Sequence, residues 1–500
     1  MPKADDPPSG WNTTEYNAPD LQCWRWETID MTQKPNILLF VTEQHRGDCL
    51  GIEDHPVLMT PNMDAIAGAG VRFIRAYSSC PSCIAARRSL LSGQFPATHG
   101  MVGYQDNVPW DIEHTLPAVL AKAGYETCWV GRSMHQYPLE KRFGFEHMTT
   151  LDGRGPSGYM DFIQQRRPDD WEGAYGTGVM HNDWTARPWH IEEDLHPTNW
   201  TMHEALRFLR DSDASRPFFL VVSFLAAHPP FLPPAFYLER YIRTGVPEPV
   251  VGDWAVPPPD GGKGMDVSSN RVNLRGEALL CARAGYYGLL NRLDDQIRRL
   301  LNPVRRIDRL KGDNTVVLLT SDHGEMLGDR YLWRKTVPYE PSARIPLLVR
   351  APQRFGIRPG TVVREPVGLE DIMPTCLELA GAPIPESVEG RSFLPLLRGE
   401  KVAWREHMHI EHAPMHHTLT DGREKYIWFV ADGREQFFRL TADPQECHDL
   451  ARKPEETGRM AYWRGALINK LKNRSEGFTD GTRLIPGRPY QAVCQTGRGE

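Results

Sequence analysis

The stretch Cys80-PSCIAARRSLLS-Gly93 (CPSCIAARRSLLSG) is the segment from which the organisation of the chain can be worked out. An apolar β-run, VRFIRAY at 71–77, leads into it, and its Pro-Ser pair predicts a turn followed by a helix from about Ala85 to Leu91 that the closing glycine would end. Cys83 then lies at or just before a helix N-terminus, where free N–H groups favour negative charge. Arg87, one turn later, lies on the same helix face. The segment therefore combines a nucleophile position, an anion site and a fixed cation.

Composition limits the function classes that need to be considered. The chain has 500 residues, 40% of them hydrophobic and 24% charged, which is typical of a globular protein with one large and one smaller domain. The formal net charge of −6 and the lack of a basic run argue against a nucleic-acid partner. Because there is no apolar run long enough to span a bilayer and no secretion signal, we expect no membrane association and a cytoplasmic location. Nine cysteines, an odd number, do not suggest a disulfide framework.

Alternating strands and helices predict the fold. The continuous apolar runs at 36–42, 126–131, 218–226 and 315–321 are typical of strands buried on both faces, and helical patterns separate them. Such alternation predicts an α/β fold with a large, mostly parallel sheet sandwiched by helices. A helix is also predicted from Ala278 to Leu301.

The chain is predicted to have three parts. Residues 1–33 form an N-terminal arm, 34–400 the catalytic domain, and 401–500 a smaller C-terminal α+β domain with antiparallel strands at HMHIEH, KYIWFV and EQFFRL and a tail. An insertion at 150–195, rich in Gly, Trp, Asp and Arg, is predicted to shape a pocket. The arm and the tail could clasp a second copy, so a homo-oligomer is an expectation.

Polar residues follow four strands of the predicted fold: Glu43–Gln44, the Cys83 segment, His228 and Asp322–His323. Because the carboxyl ends of parallel strands share one edge of a sheet, these residues are expected to meet there. Three oxygen donors and one imidazole suit a hard or borderline divalent cation. Taken singly, an Asp-His pair after a strand is more typical of a capped turn, and a lone glutamate of the surface. Their common position at one edge of the sheet favours a metal site instead.

Four motifs together resemble the sulfatases of the alkaline phosphatase superfamily, over roughly residues 34–455. The family signature, C-x-P/A-S/A-R before a helix ending in T/S-G, stands here as Cys83-Ile-Ala-Ala-Arg87 followed by Leu-Ser-Gly. The other three motifs are SDHGEMLGD at 321–329, YEPSARIPLLVRAP at 339–352 and DGREQFFRLTADPQECHDLA at 432–451. Gln44 and Asp322–His323 are more similar to the branch that contains choline sulfatases and phosphonate monoester hydrolases.

The resemblance implies a reaction and its cofactors. In that family the signature cysteine, here Cys83, is oxidised to formylglycine by a formylglycine-generating maturase, and the hydrate attacks the sulfur of a small sulfated substrate. One divalent metal ion is implied, Ca²⁺ first, with Mn²⁺ and Mg²⁺ as alternatives. Its ligands by resemblance are Glu43, Gln44, Asp322 and His323.

The resemblance also implies roles for the other polar residues. Arg87 and Lys335 would offset charge on the transferring group. His228 would protonate the leaving oxygen, and His135 would deprotonate the second hydroxyl of the hydrate. Without the resemblance, Lys335 could equally be a solvated cation and His228 a structural histidine at a strand end.

The chain departs from the family pattern at three places. Ala85 replaces the commoner proline, which resembles the C-x-A-x-R form that the radical-type maturase of anaerobes accepts. Glu43 stands where the family usually has aspartate. The G-K-x-H motif appears as Gly-Arg132-Ser-Met-His135, so Arg132 is expected to bind substrate. Asn107 is a further substrate-binding candidate, matched to the choline-sulfatase branch with a different spacing.

Three alternatives to a sulfate monoesterase stay open from the sequence. A phosphonate monoester or phosphodiester hydrolase would use nearly the same residues, and an inactive family member would bind sulfated ligands with Cys83 unmodified. A redox thiol pair at Cys80 and Cys83 would leave Arg87 and Lys335 without a role. A histidine cluster, formed by His409, Glu411, His412, His416 and His417, is predicted either to shape the pocket or to lie in a surface loop.

Overall fold

The structure is a computed structural model that describes residues 33–151, 158–169, 176–259, 269–311 and 313–494. The predicted arm at 1–33 lies outside the described residues apart from Gln33. Parts of the predicted insertion at 150–195 and the end of the tail also lie outside them. Every structural statement below concerns the described residues.

Fifteen strands are present in the described part of the chain. They are β1 (Asn36–Thr42), β2 (Val71–Phe73), β3 (Ala76–Tyr77), β4 (Glu126–Gly131), β5 (His147–Thr150), β6 (Phe218–Ser223), β7 (Thr315–Ser321), β8 (Arg344–Ile345), β9 (Leu347–Arg350), β10 (Thr361–Val363), β11 (Val367–Gly368), β12 (Met408–His412), β13 (His416–Thr420), β14 (Lys425–Phe429) and β15 (Glu435–Phe438).

Twelve α-helices occur within the described ranges. They are α1 (Pro61–Gly68), α2 (Cys83–Ser92), α3 (Pro96–His99), α4 (Leu116–Lys122), α5 (Tyr159–Arg166), α6 (Pro197–Asp211), α7 (Ala235–Thr244), α8 (Gly276–Lys311), α9 (Glu340–Ala343), α10 (Ile372–Leu379), α11 (Leu394–Leu397) and α12 (Thr457–Leu471).

The central sheet has eight strands in the order β10-β2-β9-β7-β1-β6-β4-β5. The five strands from β7 to β5 run parallel, and β9 is antiparallel to both of its neighbours. The prediction of a large, mostly parallel sheet is therefore confirmed. Since β1, β6 and β7 are adjacent, their carboxyl ends bring Glu43, His228 and Asp322 to one edge.

Helices cover both faces of this sheet, as predicted. Alternate residues of β1 point to opposite sides, so Leu38 and Phe40 enter one core with α6 and α8 while Leu39 and Val41 enter another with α2, α4 and α10. All four side chains are fully buried. Burial of such strands on both faces explains their continuous apolar sequences.

The C-terminal part of the chain forms a separate antiparallel sheet in the order β12-β13-β14-β15, covered by α12. The aromatic residues Tyr426 and Trp428 of β14 pack with Trp463 and Leu467 of the helix. The sequence predicted three of the four strands and missed β13. Its sequence, HHTLT, begins with two histidines whose burial depends on the neighbouring strands rather than on a local strand pattern.

Some element predictions were wrong in their extent. The run at 71–77 is not one strand, because β2 joins the central sheet while β3 pairs with β8 and β11 in a small second sheet. The helix predicted to end at Leu301 continues through Pro303 to Lys311. Val304 is fully buried in the core beyond that point, so packing maintains the helix where propensity alone predicts a break.

Among the described residues, none of the helices has both the length and the apolar character needed to cross a membrane.

Candidate active site

Cys83 is the first residue of α2 and is 1% exposed. Ser82 before it has an extended backbone, and Gly93 after the helix has φ 67° and donates its N–H to Ser89 O at 2.9 Å. Glycine is the residue that most readily adopts this left-handed conformation at a helix end. The helix begins two residues earlier than predicted. This earlier start places the cysteine directly at the N-terminal end of the helix dipole.

The thiol of Cys83 lies between residues from two central strands. Its Sγ donates to Glu43 Oε1 at 3.4 Å, and it is 3.2 Å from His323 Nε2. Glu43 follows β1 and His323 follows β7, and both are fully buried. The structure thus brings together the predicted nucleophile position and two of the predicted metal ligands.

Arg87 lies one helical turn beyond Cys83 and is 1% exposed. Its Nε donates to Asp322 Oδ2 at 3.3 Å, its Nη1 donates to Ser223 Oγ at 3.0 Å, and its Nη2 is 3.6 Å from Glu43 Oε2. Nη2 has no hydrogen-bond partner among the described residues. Charge-assisted pairs are usually nearer to 2.8 Å. The guanidinium is thus surrounded by carboxylates without being tightly bound by them.

Glu43 is the electrostatic centre of the cluster. Arg132 Nε donates to its Oε2 at 2.9 Å, so the substituted G-K-x-H segment does reach the site. Burial alone would raise the pKa of the Glu43 carboxyl, but Arg132, His228, Arg87 and Lys335 together hold it well below its usual range. The side chain is therefore a carboxylate, the form that can bind a cation.

Gln44 links Lys335 to the site. Its backbone has φ 55°, and its N–H donates to Asp322 Oδ1 at 3.2 Å. The amide oxygen accepts a hydrogen bond from Lys335 Nζ at 2.7 Å, and the amide nitrogen donates to Glu325. Glu325 is fully buried, and burial raises its pKa. Sequence reasoning did not identify this glutamate, although it lies inside the SDHGEMLGD motif.

His135 belongs to a second chain of polar contacts. Its Nε2 is 2.9 Å from Arg132 Nη2, and its Nδ1 is 3.5 Å from Asp106 Oδ1. Burial and Arg132 lower the pKa of His135, but the hydrogen bonds to Asp106 and Cys83 raise it more, so the net shift is upward. Asp106 also accepts a hydrogen bond from the Tyr104 hydroxyl at 2.8 Å. The sequence indicated neither residue, because nothing local connects them to His135.

Asn107 differs from the other predicted site residues. It is exposed, has φ 59°, and makes no hydrogen bond within the described structure. Its neighbour Asp106 makes the contact with His135 instead. The structure does not bring Asn107 into the cluster, and its role in substrate binding stays a prediction.

His228 borders the cluster from β6. Its Nε2 is 4.0 Å from Glu43 Oε1, its Nδ1 is 2.6 Å from Pro229 O, and its ring stacks on His181 with 5.2 Å between centroids. Burial, then Lys335, Arg132 and His181 lower the pKa of His228 well below its usual value, and Glu43 only partly opposes them. Its contact with His181 shows that the 150–195 segment reaches this end of the site.

Comparison with known proteins defines the family. The profile of the family called Sulfatase matches residues 35–382, which is more than half of the chain. The chain belongs to the sulfatase family. The profile of the N-sulphoglucosamine sulphohydrolase C-terminal region matches residues 328–473.

Relatives of this sulfatase include an arylsulfatase and a choline-sulfatase. An arylsulfatase of Clostridium perfringens is 39% identical over 92% of this chain and 99% of its own length. A choline-sulfatase of Rhizobium meliloti is 30% identical over 85% of this chain and 83% of its own. The crystal structure of a phosphonate monoester hydrolase of Agrobacterium radiobacter has the same fold, with a TM-score of 0.74, 23% identity and coverage of 91% of this chain and 100% of that one. The protein is therefore a hydrolase of the sulfatase type.

The sulfatase family implies a metal ion, and the donor set of this chain suits one. Ligand atoms of Cys83, Asp322 and His323 lie within 4.8 Å of one another, as do those of Glu43, Cys83 and His135. Asp322 and His323 are buried, and burial together with Lys335 lowers the pKa of His323, which favours the neutral imidazole that binds metals. Two buried carboxylates and a neutral imidazole that face the N-terminus of α2 fit a divalent cation.

Cys80 does not form a pair with Cys83 in this sulfatase. It is fully buried in a small cluster with Ile84, Ala85 and Met101, and burial, then Glu411 and Cys494, raise the pKa of its thiol. A raised thiol pKa disfavours the thiolate that redox chemistry requires. Cys80 is a packing residue, and the thiol-pair interpretation loses its physical support.

Proposed function

We propose that this protein hydrolyses a sulfate monoester to an alcohol and sulfate, with formylglycine formed from Cys83 as nucleophile and one divalent metal ion, Ca²⁺ first. One observation carries the proposal: Cys83 is the first residue of α2 and lies 3.4 Å or less from Glu43 and His323, one turn before the buried Arg87. Glu43, Gln44, Asp322 and His323 would hold the metal. The similarity to an arylsulfatase over nearly the whole chain supports sulfate as the group transferred.

Two groups that are not part of the unmodified chain supply the central chemistry. Formylglycine, formed at Cys83 and hydrated, would supply an oxygen nucleophile and a second hydroxyl. A divalent metal held by Glu43, Gln44, Asp322 and His323 would supply Lewis-acid chemistry to that nucleophile and to the bound ester. Arg87 and Lys335 supply positive charge at fixed positions, which stabilises charge that develops on the transferring group.

Two histidines would transfer the protons of the reaction. His228 would donate a proton to the oxygen of the departing alcohol from Nε2, the ring nitrogen that faces the cluster at 4.0 Å from Glu43 Oε1. A bound anionic ester next to the ring would oppose the downward shift of its pKa. His135 would take the proton of the second hydroxyl at Nε2 once that nitrogen leaves its contact with Arg132 Nη2, while Asp106 holds Nδ1.

The rival activity is hydrolysis of phosphonate monoesters or phosphodiesters. A tetrahedral phosphoryl group could use the same arginine, lysine and metal. The Gln44 and Asp322–His323 combination is compatible with this rival as well as with the lead, since the branch that it resembles contains both choline sulfatases and phosphonate monoester hydrolases. A further alternative is an inactive member of the family that only binds sulfated ligands.

A panel of phenyl sulfate, phenyl phosphonate and a bis-aryl phosphodiester separates these activities. The purified protein, expressed together with a radical-type maturase and loaded with Ca²⁺, should give its highest kcat/KM with the sulfate ester. A higher value with either phosphorus ester would replace the proposal with the rival. No turnover of any of the three, with an intact thiol at residue 83, would support the binding protein.

Replacement of His228 by asparagine should slow the enzyme in a way that depends on the leaving group. We expect a loss in kcat of about 10²- to 10³-fold with phenyl sulfate, because phenolate needs a proton to leave. With 4-nitrophenyl sulfate, whose leaving group is more acidic, the loss should be less than about tenfold. Steady-state kinetics on both esters measures the difference. His181→Phe keeps a ring beside residue 228 and serves as the control, with equal effects on both esters. If His228→Asn lowers kcat by the same factor with both esters, His228 does not act as the general acid.

The domain boundaries at 33 and 400, the maturase partner and the homo-oligomer stay predictions.

A further inference from the structure

Glu325 is a fully buried glutamate that lies two residues after His323. Its Oε1 accepts hydrogen bonds from the backbone N–H groups of Leu327, at 3.0 Å, and of Arg334. Its Oε2 accepts a hydrogen bond from the side-chain amide nitrogen of Gln44. Three donors therefore converge on one carboxylate, and its two oxygens bind different parts of the site.

Lys335 decides which way the Gln44 amide is turned. The ammonium Nζ lies 2.7 Å from the amide oxygen, and an ammonium group can only donate hydrogen bonds. The amide nitrogen must then face Glu325, which accepts its hydrogen bond as a carboxylate. An amide turned the other way would place its NH₂ group against the ammonium and leave Glu325 Oε2 without its donor, and both contacts are unfavourable for buried groups. Glu325 therefore holds the amide oxygen on the side of Lys335.

That side of the Gln44 amide is the side of the charged cluster. Lys335 interacts electrostatically with Glu43 and His323, and the backbone N–H of Gln44 donates to Asp322 Oδ1 at 3.2 Å. An amide oxygen has two lone pairs. The contact with Lys335 uses one of them and leaves the other available for a cation. One amide orientation thus serves both the lysine and the proposed metal site.

The second oxygen of Glu325 fixes the backbone next to Lys335. Arg334 and Thr336, on either side of the lysine, have φ 67° and 78°, a conformation that costs free energy in residues other than glycine and persists only where neighbours hold it. The N–H of Arg334 donates to Glu325, and the N–H of Thr336 donates to Pro81 O at 3.1 Å. Pro81 belongs to the turn that precedes α2. Glu325 thus helps to hold the lysine in place relative to the nucleophile position.

We propose that Glu325 is a positioning residue, which turns the Gln44 amide so that its oxygen faces Lys335 and the proposed metal site. The carboxylate acts through Gln44 and through the backbone of Arg334. Groups that orient a metal ligand in this way typically change metal affinity or activity by about 10- to 100-fold when they are replaced. This inference rests on the metal site of the proposed function and adds to it a residue that orients one of the ligands.

Glu325→Gln tests the orientation without changing the size of the side chain. The new amide keeps an oxygen for the two backbone N–H groups and places an NH₂ group opposite the NH₂ group of Gln44, so the Gln44 amide must turn its nitrogen towards Lys335. We expect the affinity for Ca²⁺ to fall by about 10- to 100-fold. Isothermal titration calorimetry with CaCl₂ at pH 8 measures it, on the full chain after removal of metal with EDTA.

The double variant Gln44→Glu, Glu325→Gln restores the hydrogen bond with donor and acceptor exchanged. The amide at position 325 then donates to the carboxylate at position 44, whose other oxygen can face Lys335. Glu325→Gln should therefore lower the affinity for Ca²⁺ when residue 44 is glutamine and should not lower it when residue 44 is glutamate. Gln44→Glu by itself adds a negative charge, so the second comparison is made between the two proteins that carry it.

Glu411→Gln is the control for replacement of a buried glutamate. The Glu411 carboxylate, on β12, accepts hydrogen bonds from Arg474 Nη1 and from the Tyr490 hydroxyl, each at 2.7 Å. This variant should lower Tm and leave the affinity for Ca²⁺ unchanged. If Glu325→Gln alone does not fold, a double variant that folds and binds Ca²⁺ is the expected result.

Four results would overturn the inference. They are no binding of Ca²⁺ by the unmutated protein, an unchanged affinity in Glu325→Gln, the same loss with either residue at position 44, and a double variant that does not fold. Turnover of phenyl sulfate by the unmutated enzyme tests the proposed function separately, because the calcium titration does not depend on turnover. The expected dependence on residue 44, in a protein that hydrolyses no sulfate ester, would keep the inference and remove the sulfatase proposal.

Discussion

Replacement of Cys83 by alanine should abolish hydrolysis of sulfate esters, with a loss in kcat of at least about 10⁴-fold. In the proposed mechanism the Cβ of Cys83 becomes the carbon that carries the nucleophilic hydroxyl, and neither Glu43 nor His323 can take over that role from its position beside Sγ. Assay of phenyl sulfate turnover measures the loss. Mass spectrometry of the peptide that contains residue 83 in the unmutated enzyme should show loss of the thiol and gain of an aldehyde.

Cys80→Ala is the matched control for this variant. Cys80 is equally buried but packs against Ile84, Ala85 and Met101 rather than against site residues. Its truncation should cost about 1 kcal/mol of stability and leave turnover within about threefold. Full turnover by a protein whose residue 83 is still a thiol would contradict the formylglycine proposal. Equal losses in the two alanine variants would revive the thiol-pair interpretation.

The central strands could be predicted from the sequence because their cause is local. The apolar runs that form β1 and β7 coincide with the observed bounds, since strands buried on both faces need continuous apolar residues. The meeting of Glu43 with Asp322 follows from the parallel neighbours alone. The alternation of strands and helices also predicted the covered sheet.

The remaining parts of the site depend on contacts between distant segments. Asp106 and Tyr104 reach His135 only because the segment after α3 and the loop after β4 converge, and no spacing in the sequence records this. The different directions of Glu411 and His412 become clear only when both faces of β12 have known neighbours. The sequence placed them in one histidine cluster, and its surface-loop alternative was wrong, because both residues are buried in β12.

Replacement of Arg87 by methionine should lower both the stability of the protein and its turnover. Removal of the guanidinium leaves the buried Asp322 and Glu43 carboxylates with less compensating charge, and loss of a buried ion-pair partner typically costs about 3–5 kcal/mol. In EDTA we expect the free energy of unfolding of Arg87→Met to fall by that amount. We also expect kcat to fall by about 10²- to 10³-fold, because a cation at the transferring group is lost. Ca²⁺ should restore much of the stability, since a divalent cation can take over the charge compensation, but it should not restore turnover.

Thermal unfolding in EDTA and in Ca²⁺ measures how much of the lost stability Ca²⁺ restores, because a ligand that binds the native state raises Tm. The rise on adding Ca²⁺ should be larger in Arg87→Met than in the unmutated protein. Arg88→Met is the control: Arg88 is also buried, but it donates to Val108 O at 2.9 Å and lies over the Trp110 ring, with no ion pair to a carboxylate among the described residues. Its Tm should respond to Ca²⁺ as the unmutated protein does. The same response in both variants would show that Arg87 and the metal do not share the Glu43 and Asp322 carboxylates.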